Sequence, residues 1–140
     1  IMSEDFPVLV RTLWIGILIG ISFIATPIKF REPSLTVPVA LEVGRVTFHF
    51  FSRIEWLLAA LLFGAEAAVK GVAWRWPFAA FVVAIVLVQS VWLLPTLERR
   101  VTGMANGAIL APSQMHRAYG ALEGLKLLAL LALIAAGFPR

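Results

Sequence analysis

The sequence predicts an all-α integral membrane protein, a four-helix bundle formed by one transmembrane domain over residues 1–140. Three observations predict this class: 61% of the residues are hydrophobic, only 14% are charged, and the mean hydropathy is +0.92. A water-soluble domain has about half apolar residues and about a quarter charged ones. The chain also divides into four apolar stretches separated by polar connections, which is the spacing expected of membrane-spanning helices.

The four spans are predicted at about residues 9–28, 43–65, 76–97 and 117–138. The first and third contain uncharged runs, residues 12–28 and 76–97, that are close to the length of a hydrocarbon core. The second and fourth contain only short uncharged runs, residues 56–65 and 127–138. Extending these two runs to about twenty residues brings charged and histidine side chains into or just below the membrane, where ionisable residues are costly and often functional.

The connections between spans are polar and rich in turn-forming residues. Ser34 or Thr36 is expected to cap the second helix, and Ser113 the fourth. Residues 98–115 carry an apolar helical face that starts at Val101, which predicts a short helix lying on the membrane surface.

The basic residues predict the topology. Six of them lie at the end of the bundle that holds the first and third connections: Lys29, Arg31, Arg45, Arg99, Arg100 and Arg117. Four lie at the opposite end, together with the acidic N-terminal segment. This bias favours cytoplasmic connections and periplasmic termini. The N-terminal segment lacks the basic region of a signal peptide, so we expect its apolar run to remain as a span.

Charge and tryptophan placement indicate a lipid environment. The net charge is +4, but the basic residues are scattered at the ends of apolar segments, which favours anionic headgroups over nucleic acid as their partner. Trp14, Trp74, Trp76 and Trp92 lie near the expected membrane boundaries, where they either form interfacial belts or pack between helices.

Two polar stripes form the candidate binding site. One lies on the second helix and the other on the fourth: Glu42, Arg45, His49 and Arg53, and His116, Tyr119, Glu123 and Lys126. Spacings of three and four residues keep each set on one helix face. The stripes either border a polar cavity or lie on solvated helix ends, and the phenylalanines around the first stripe favour the cavity.

In the cavity alternative, the two stripes pair with each other. Glu123 would then pair with Arg45 or Arg53, and Glu42 with Arg117 or Lys126, which lowers the cost of holding these charges out of water. Glu55 lies off the first stripe and needs another partner.

The chain also contains a faint internal repeat. His49 follows Pro27 by twenty-two residues and His116 follows Pro95 by twenty-one, which predicts two related helical hairpins; the alternative is that prolines are simply common near span ends. Two GxxxG motifs predict close helix approach, Gly16 with Gly20 and Gly120 with Gly124.

The strings TPIKFREPSLTVPVALEVGRVTFHFFSRIEW and PSQMHRAYGALEGLKLL resemble a group of small, uncharacterised bacterial four-span membrane proteins. The resemblance covers most of the chain and implies a four-helix architecture in a bacterial inner membrane. It implies no activity and no site residues.

Three functions are consistent with these features. The first is binding or transport of a small anionic or proton-linked solute, with arginines holding the anion and histidines exchanging protons, in a homo-oligomer because four spans make a narrow bundle. The second is an accessory subunit of a larger membrane complex in which His49 and His116 ligate a b-type haem; otherwise no cofactor and no metal is expected. The third is a membrane scaffold.

An enzyme is the poorest fit to this sequence. No serine–histidine–aspartate spacing, HExxH motif or glycine-rich phosphate loop is present. The chain has no cysteine, which excludes disulfides, thiolate chemistry and cysteine-bound metals.

Overall fold

The computed structural model describes residues 4–70, 73–107 and 114–136, without the side chain of residue 105. These residues form four helices that are each long and apolar enough to cross a membrane: α1 (Asp5–Lys29), α2 (Val37–Ala68), α3 (Ala73–Met104) and α4 (Gln114–Ala135). No strand occurs among them. The predicted all-α membrane bundle is therefore confirmed.

The helices pack in sequence order around a central core. Helix α1 packs against α2 and α4, and α3 packs against the same two, so that α1 lies diagonally opposite α3. Trp14, Phe51, Leu62, Val82 and Leu130 are buried in this core. Many large apolar side chains instead face outward, among them Leu9, Phe50, Leu57, Val91 and Leu128. An apolar exterior is the surface that a lipid bilayer requires.

Helices α1, α2 and α3 extend beyond the predicted spans at both ends, and α4 begins three residues before its predicted span. The predicted end of the fourth span, residues 137–138, lies outside the described residues. Helix α2 has 32 residues, because the segment that carries the predicted stripe, residues 42–53, is helical without a break. Thr36 occupies the N-cap position of α2, but its side chain makes no capping hydrogen bond. Residues 98–104 of the predicted surface segment belong to α3 and do not form a separate helix. Residues 108–113, which include Ser113, lie outside the described residues.

Two local hydrogen bonds order the connection between α1 and α2. Ser34 donates to the Glu32 carboxylate from its hydroxyl, at 2.6 Å, and from its backbone amide, at 3.0 Å. These two bonds hold the pKa of the Glu32 carboxyl below its usual range. The serine expected to cap α2 therefore orders the turn before it.

Helices α1 and α3 each contain a π-helical segment, at Ile19–Ala25 and Gln89–Leu93. Each segment is followed within two residues by a proline, Pro27 or Pro95, which lacks the amide hydrogen that an α-helix uses and crowds the carbonyl four residues earlier. In each case the residue before the proline donates its amide hydrogen to a carbonyl five residues back. Such π-segments shift the helix face and are frequent at functional sites.

Candidate functional site

All four helices contribute buried polar side chains to a cluster inside the bundle. We call this cluster the central network, and it consists of Trp14, Ser22, Glu55, Gln89, Glu123 and Lys126. Lys126 is 0% exposed, and Glu55, Gln89 and Glu123 are each 2% exposed. Charges placed this deeply in a membrane bundle are costly unless they are paired, and they usually mark a functional site.

The Lys126 ammonium is the centre of the network. Its Nζ lies 2.5 Å from Glu55 Oε2, 2.7 Å from Glu123 Oε1 and 2.7 Å from Gln89 Oε1. An ammonium has three hydrogens, so these three acceptors satisfy it. The ring of Phe51 lies on a further side, with its centroid 5.9 Å from Nζ.

The two carboxylates accept further hydrogen bonds from α1 and α3. Trp14 Nε1 donates to Glu55 at 3.0 Å, and Ser22 Oγ donates to Glu123 at 2.5 Å. Gln89 Nε2 also donates to Glu123, at 2.8 Å. With both carboxylates ionised, the network carries one net negative charge, so one bound proton would neutralise it.

The π-segments supply the polar side chains that α1 and α3 contribute near Glu123. Ser22 lies in the first segment and Gln89 begins the second. Glu55 and Glu123 are 68 residues apart, as are Pro27 and Pro95, so both hairpins place a proline and a glutamate at matching positions. The repeat itself stays a prediction.

A cavity of about 160 Å³ leads from one end of the bundle to the central network. Ser22, Tyr119 and Glu123 line its deep part, while Lys29, Arg45, Glu98 and His116 line it nearer the helix ends. Its remaining walls are mainly apolar and aromatic, contributed by Phe23, Phe30, Leu41, Phe48, Leu94 and Leu97. The Tyr119 and Phe48 rings meet edge to face, with centroids 5.3 Å apart. A solute in this cavity would touch the Glu123 side chain directly.

The charged groups around the cavity differ in how they are paired. Arg45 binds Glu42 one turn away, and His49 Nδ1 lies 2.9 Å from Glu98 Oε1. Lys29 pairs with no carboxylate among the described residues. Among the lysine and arginine side chains that line this cavity, Lys29 is therefore the one without an ion-pair partner in the described part of the protein.

A second buried ionic cluster, the Arg11 network, lies toward the opposite end of the bundle. Arg11 pairs with Glu66 and donates from Nη1 to the Leu133 carbonyl at 3.2 Å. Arg75 Nη1 lies 3.7 Å from Glu66 and 2.8 Å from the partly exposed Glu4. These contacts tie α1, α2, α3 and α4 together at the end away from the cavity.

The structure places the eight predicted site residues in different environments. Tyr119, Glu123 and Lys126 are buried, and Arg45 and His116 line the cavity. Glu42 lies beside Arg45 and not in the bundle interior. His49 and Arg53 are exposed. The α4 stripe therefore points inward at its deep part, whereas two of the four residues on the α2 stripe face outward.

The pairings expected from the sequence are wrong. Glu123 pairs with Lys126 on its own helix and not with Arg45 or Arg53, and Glu42 pairs with Arg45. Glu55, which lacked a partner in the sequence, shares Lys126 with Glu123. The physical reason is depth, since Lys126 lies about one helical turn from Glu123, whereas Arg45 lies nearer the end of the bundle.

The predicted site lacks six residues of this region: Trp14, Ser22, Lys29, Glu55, Gln89 and Glu98. Gln89 had a readable signal, because it is the one amide side chain within the apolar run 76–97. Trp14 is fully buried and donates to Glu55, so it is not part of an interfacial belt, whereas Trp74, Trp76 and Trp92 are exposed. Lys29 was read only as a topology signal.

The described residues contain no group of three or more histidine, aspartate or glutamate side chains arranged to hold a metal ion. A family model described as "Domain of unknown function (DUF4149)" matches residues 9–106, which is most of the chain. No curated protein and no solved structure matches the chain.

Proposed function

We propose a function for this chain, which belongs to the DUF4149 family, from the geometry of its own site: it binds a small anionic solute in the cavity and couples that binding to a proton. One observation carries the proposal. Glu123 lies at the deep part of the cavity and is also a member of the buried central network, which carries one net negative charge when both of its carboxylates are ionised. Solute and proton sites are thus adjacent.

The cavity entrance favours an anion. Lys29, Arg45, Glu98 and His116 lie around it. Arg45 binds Glu42 and Glu98 contacts His49, whereas Lys29 has no carboxylate partner among the described residues. Charge-assisted hydrogen bonds from such groups bind carboxylate or phosphate oxygens more strongly than neutral donors do. Apolar walls strengthen this attraction, because they lower the local dielectric constant.

The central network favours a proton as the coupled species. An anion that enters the cavity approaches the network, whose net charge is also negative when both carboxylates are ionised. Like charges at short range repel, so binding of the anion and binding of a proton to the Glu55–Glu123 pair favour each other. Transport would follow if the opposite end opens, which requires the Arg11–Glu66 contact to separate.

The assembly and location complete the proposal. A homo-oligomer or a larger membrane complex would widen a narrow four-helix pathway. The GxxxG face of α1 is open to such a contact, because an added Cβ at Gly16 or Gly20 would meet no atom of the described chain within 4 Å. The membrane is a bacterial inner membrane, with the cavity end in the cytoplasm and both termini in the periplasm, following the basic-residue bias.

Uptake by proteoliposomes tests this function. Protein reconstituted with an imposed pH gradient should take up at least one radiolabelled anion, above the uptake by protein-free liposomes, from a panel of benzoate, lactate, malate, phosphate and sulfate. Glu123→Gln should abolish the gradient-driven part of the uptake, whereas Glu32→Gln, an exposed loop carboxylate changed in the same way, should not. If no panel member is taken up and none shifts the melting temperature of the purified protein, the proposal fails.

A haem-binding accessory subunit is the alternative from a different class. It would use His49 and His116 as ligands, but His49 is exposed, with Nδ1 2.9 Å from Glu98 Oε1, and does not line the cavity with His116. A Soret band in freshly purified protein would support the haem alternative. The anion proposal needs no cofactor and predicts a colourless preparation.

A further inference from the structure

The cavity also indicates which anion fits it. We propose that it binds a compact, apolar monocarboxylate about the size of benzoate, with the carboxylate on Lys29 and the apolar body between the aromatic walls. This inference rests on the proposed function, because it names the ligand class of the same site.

Volume sets the size of the ligand. The cavity measures about 160 Å³. An apolar protein cavity of about 150 Å³ holds one benzene molecule. A single ring or a branched chain of similar bulk therefore fills the space, whereas a disaccharide or a nucleotide exceeds it.

The cavity walls indicate that the part of the ligand beyond its carboxylate is apolar. Phe23, Phe30, Phe48 and Tyr119 all line the cavity, and aliphatic side chains from α2 and α3 complete it. Aromatic rings pack favourably against other rings edge to face or offset, in addition to the area that they bury. A hydrated inorganic ion such as phosphate would lose its water against these walls without replacing most of its hydrogen bonds.

Lys29 sets the charge of the head group. Its ammonium lies so close to Gly44 on α2 that an added Cβ there would clash with it, and it lies 5.2 Å from the centroid of the Phe30 ring. The missing side chain at Gly44 therefore makes room for this cation. Arg45 already binds Glu42 and Glu98 already contacts His49, so Lys29 is the cavity cation that has no carboxylate partner among the described residues and can hold one carboxylate of a ligand.

Calorimetric titration of the detergent-solubilised full chain tests the inference with sodium benzoate as the probe. Benzoate should bind more tightly than benzamide, its neutral isostere, and more tightly than inorganic phosphate. Lys29→Gln should weaken benzoate binding by about tenfold to a hundredfold, the range for loss of a charged hydrogen bond, and Lys29→Arg should restore most of it. Arg31→Gln, an exposed cation two residues away, is the matched control and should bind benzoate like the parent.

One further arm of the titration distinguishes a membrane lipid from a water-soluble metabolite as the source of such a ligand. Octanoate, a straight-chain carboxylate, represents the end of a membrane fatty acid, and the inference expects benzoate to bind more tightly. The inference is overturned if phosphate or octanoate binds as well as benzoate, or if Lys29→Gln leaves benzoate affinity unchanged. If benzoate does not bind while another anion gives Glu123-dependent uptake, the ligand class is wrong and the proposed function stands.

Discussion

Replacing Lys126 by methionine would remove the one cation that compensates two buried carboxylates. Lys126 contacts both at 2.5 and 2.7 Å, and all three side chains are at most 2% exposed. Breaking a buried ion pair by removing one partner costs about 3 to 5 kcal/mol, because the remaining charge is left uncompensated. We expect Lys126→Met to lower the free energy of unfolding by that amount.

Glu123→Gln should behave differently, although it changes a residue of the same network. It leaves Lys126 and Glu55 as a neutral pair at 2.5 Å, and the new amide can still accept from Ser22. The net charge of the network falls from one negative charge to zero. We therefore expect a loss of at most about 1.5 kcal/mol, the range for one hydrogen bond.

The free energy of unfolding in mixed micelles, obtained by titration with sodium dodecyl sulfate and followed by circular dichroism, separates these cases. Lys70→Met, an exposed lysine changed in the same way, serves as the control and should stay within about 0.5 kcal/mol of the parent. Adding Glu55→Gln and Glu123→Gln to Lys126→Met should recover part of the loss, since no buried charge then remains. Equal losses for Lys126→Met and Glu123→Gln would refute the claim that uncompensated buried charge determines the stability of the central network.

Three further predictions concern other parts of the bundle. Arg11→Leu should lower the free energy of unfolding by about 3 to 5 kcal/mol in the same titration, because it breaks the buried contact of the Arg11 network; a loss under 1 kcal/mol would mean that this end is hydrated. Gly44→Ala should weaken benzoate binding in calorimetry, because its Cβ would displace the Lys29 ammonium, whereas Gly16→Ala, whose Cβ would meet nothing within 4 Å, should bind normally. A cysteine introduced by Gly103→Cys, in a chain without native cysteine, should resist an impermeant thiol reagent in intact cells, and rapid labelling would reverse the proposed topology.

Much of the candidate site could be read from spacing. His116, Tyr119, Glu123 and Lys126 follow one face of α4, and the structure places the last three inside the bundle and His116 at the cavity. Spacing worked here because α4 is a regular helix over its 22 residues. On the 32-residue α2, the same reasoning predicts a stripe whose two deeper members, His49 and Arg53, are exposed in the structure, since spacing defines a face but not its direction.

The sequence by itself determined the architecture. In lipid, every backbone N–H and C=O group must find a hydrogen-bond partner within the protein, and a helix supplies these partners within one segment. Four apolar stretches of sufficient length therefore predict four membrane-spanning helices. Glu55 and Glu123 were also readable as charges that need partners, because no apolar surroundings can hold them alone.

Only the tertiary structure decided which groups meet. The π-segments at Ile19–Ala25 and Gln89–Leu93 rotate the helix face, and each residue of shift turns a side chain by about 100°. Ser22 and Gln89 contact Glu123 in that rotated geometry, which a regular 3.6-residue period does not give. Lys126 likewise joins Glu55 to Glu123 because of how α2 and α4 are turned toward the core, and that rotation depends on the packing of all four helices together.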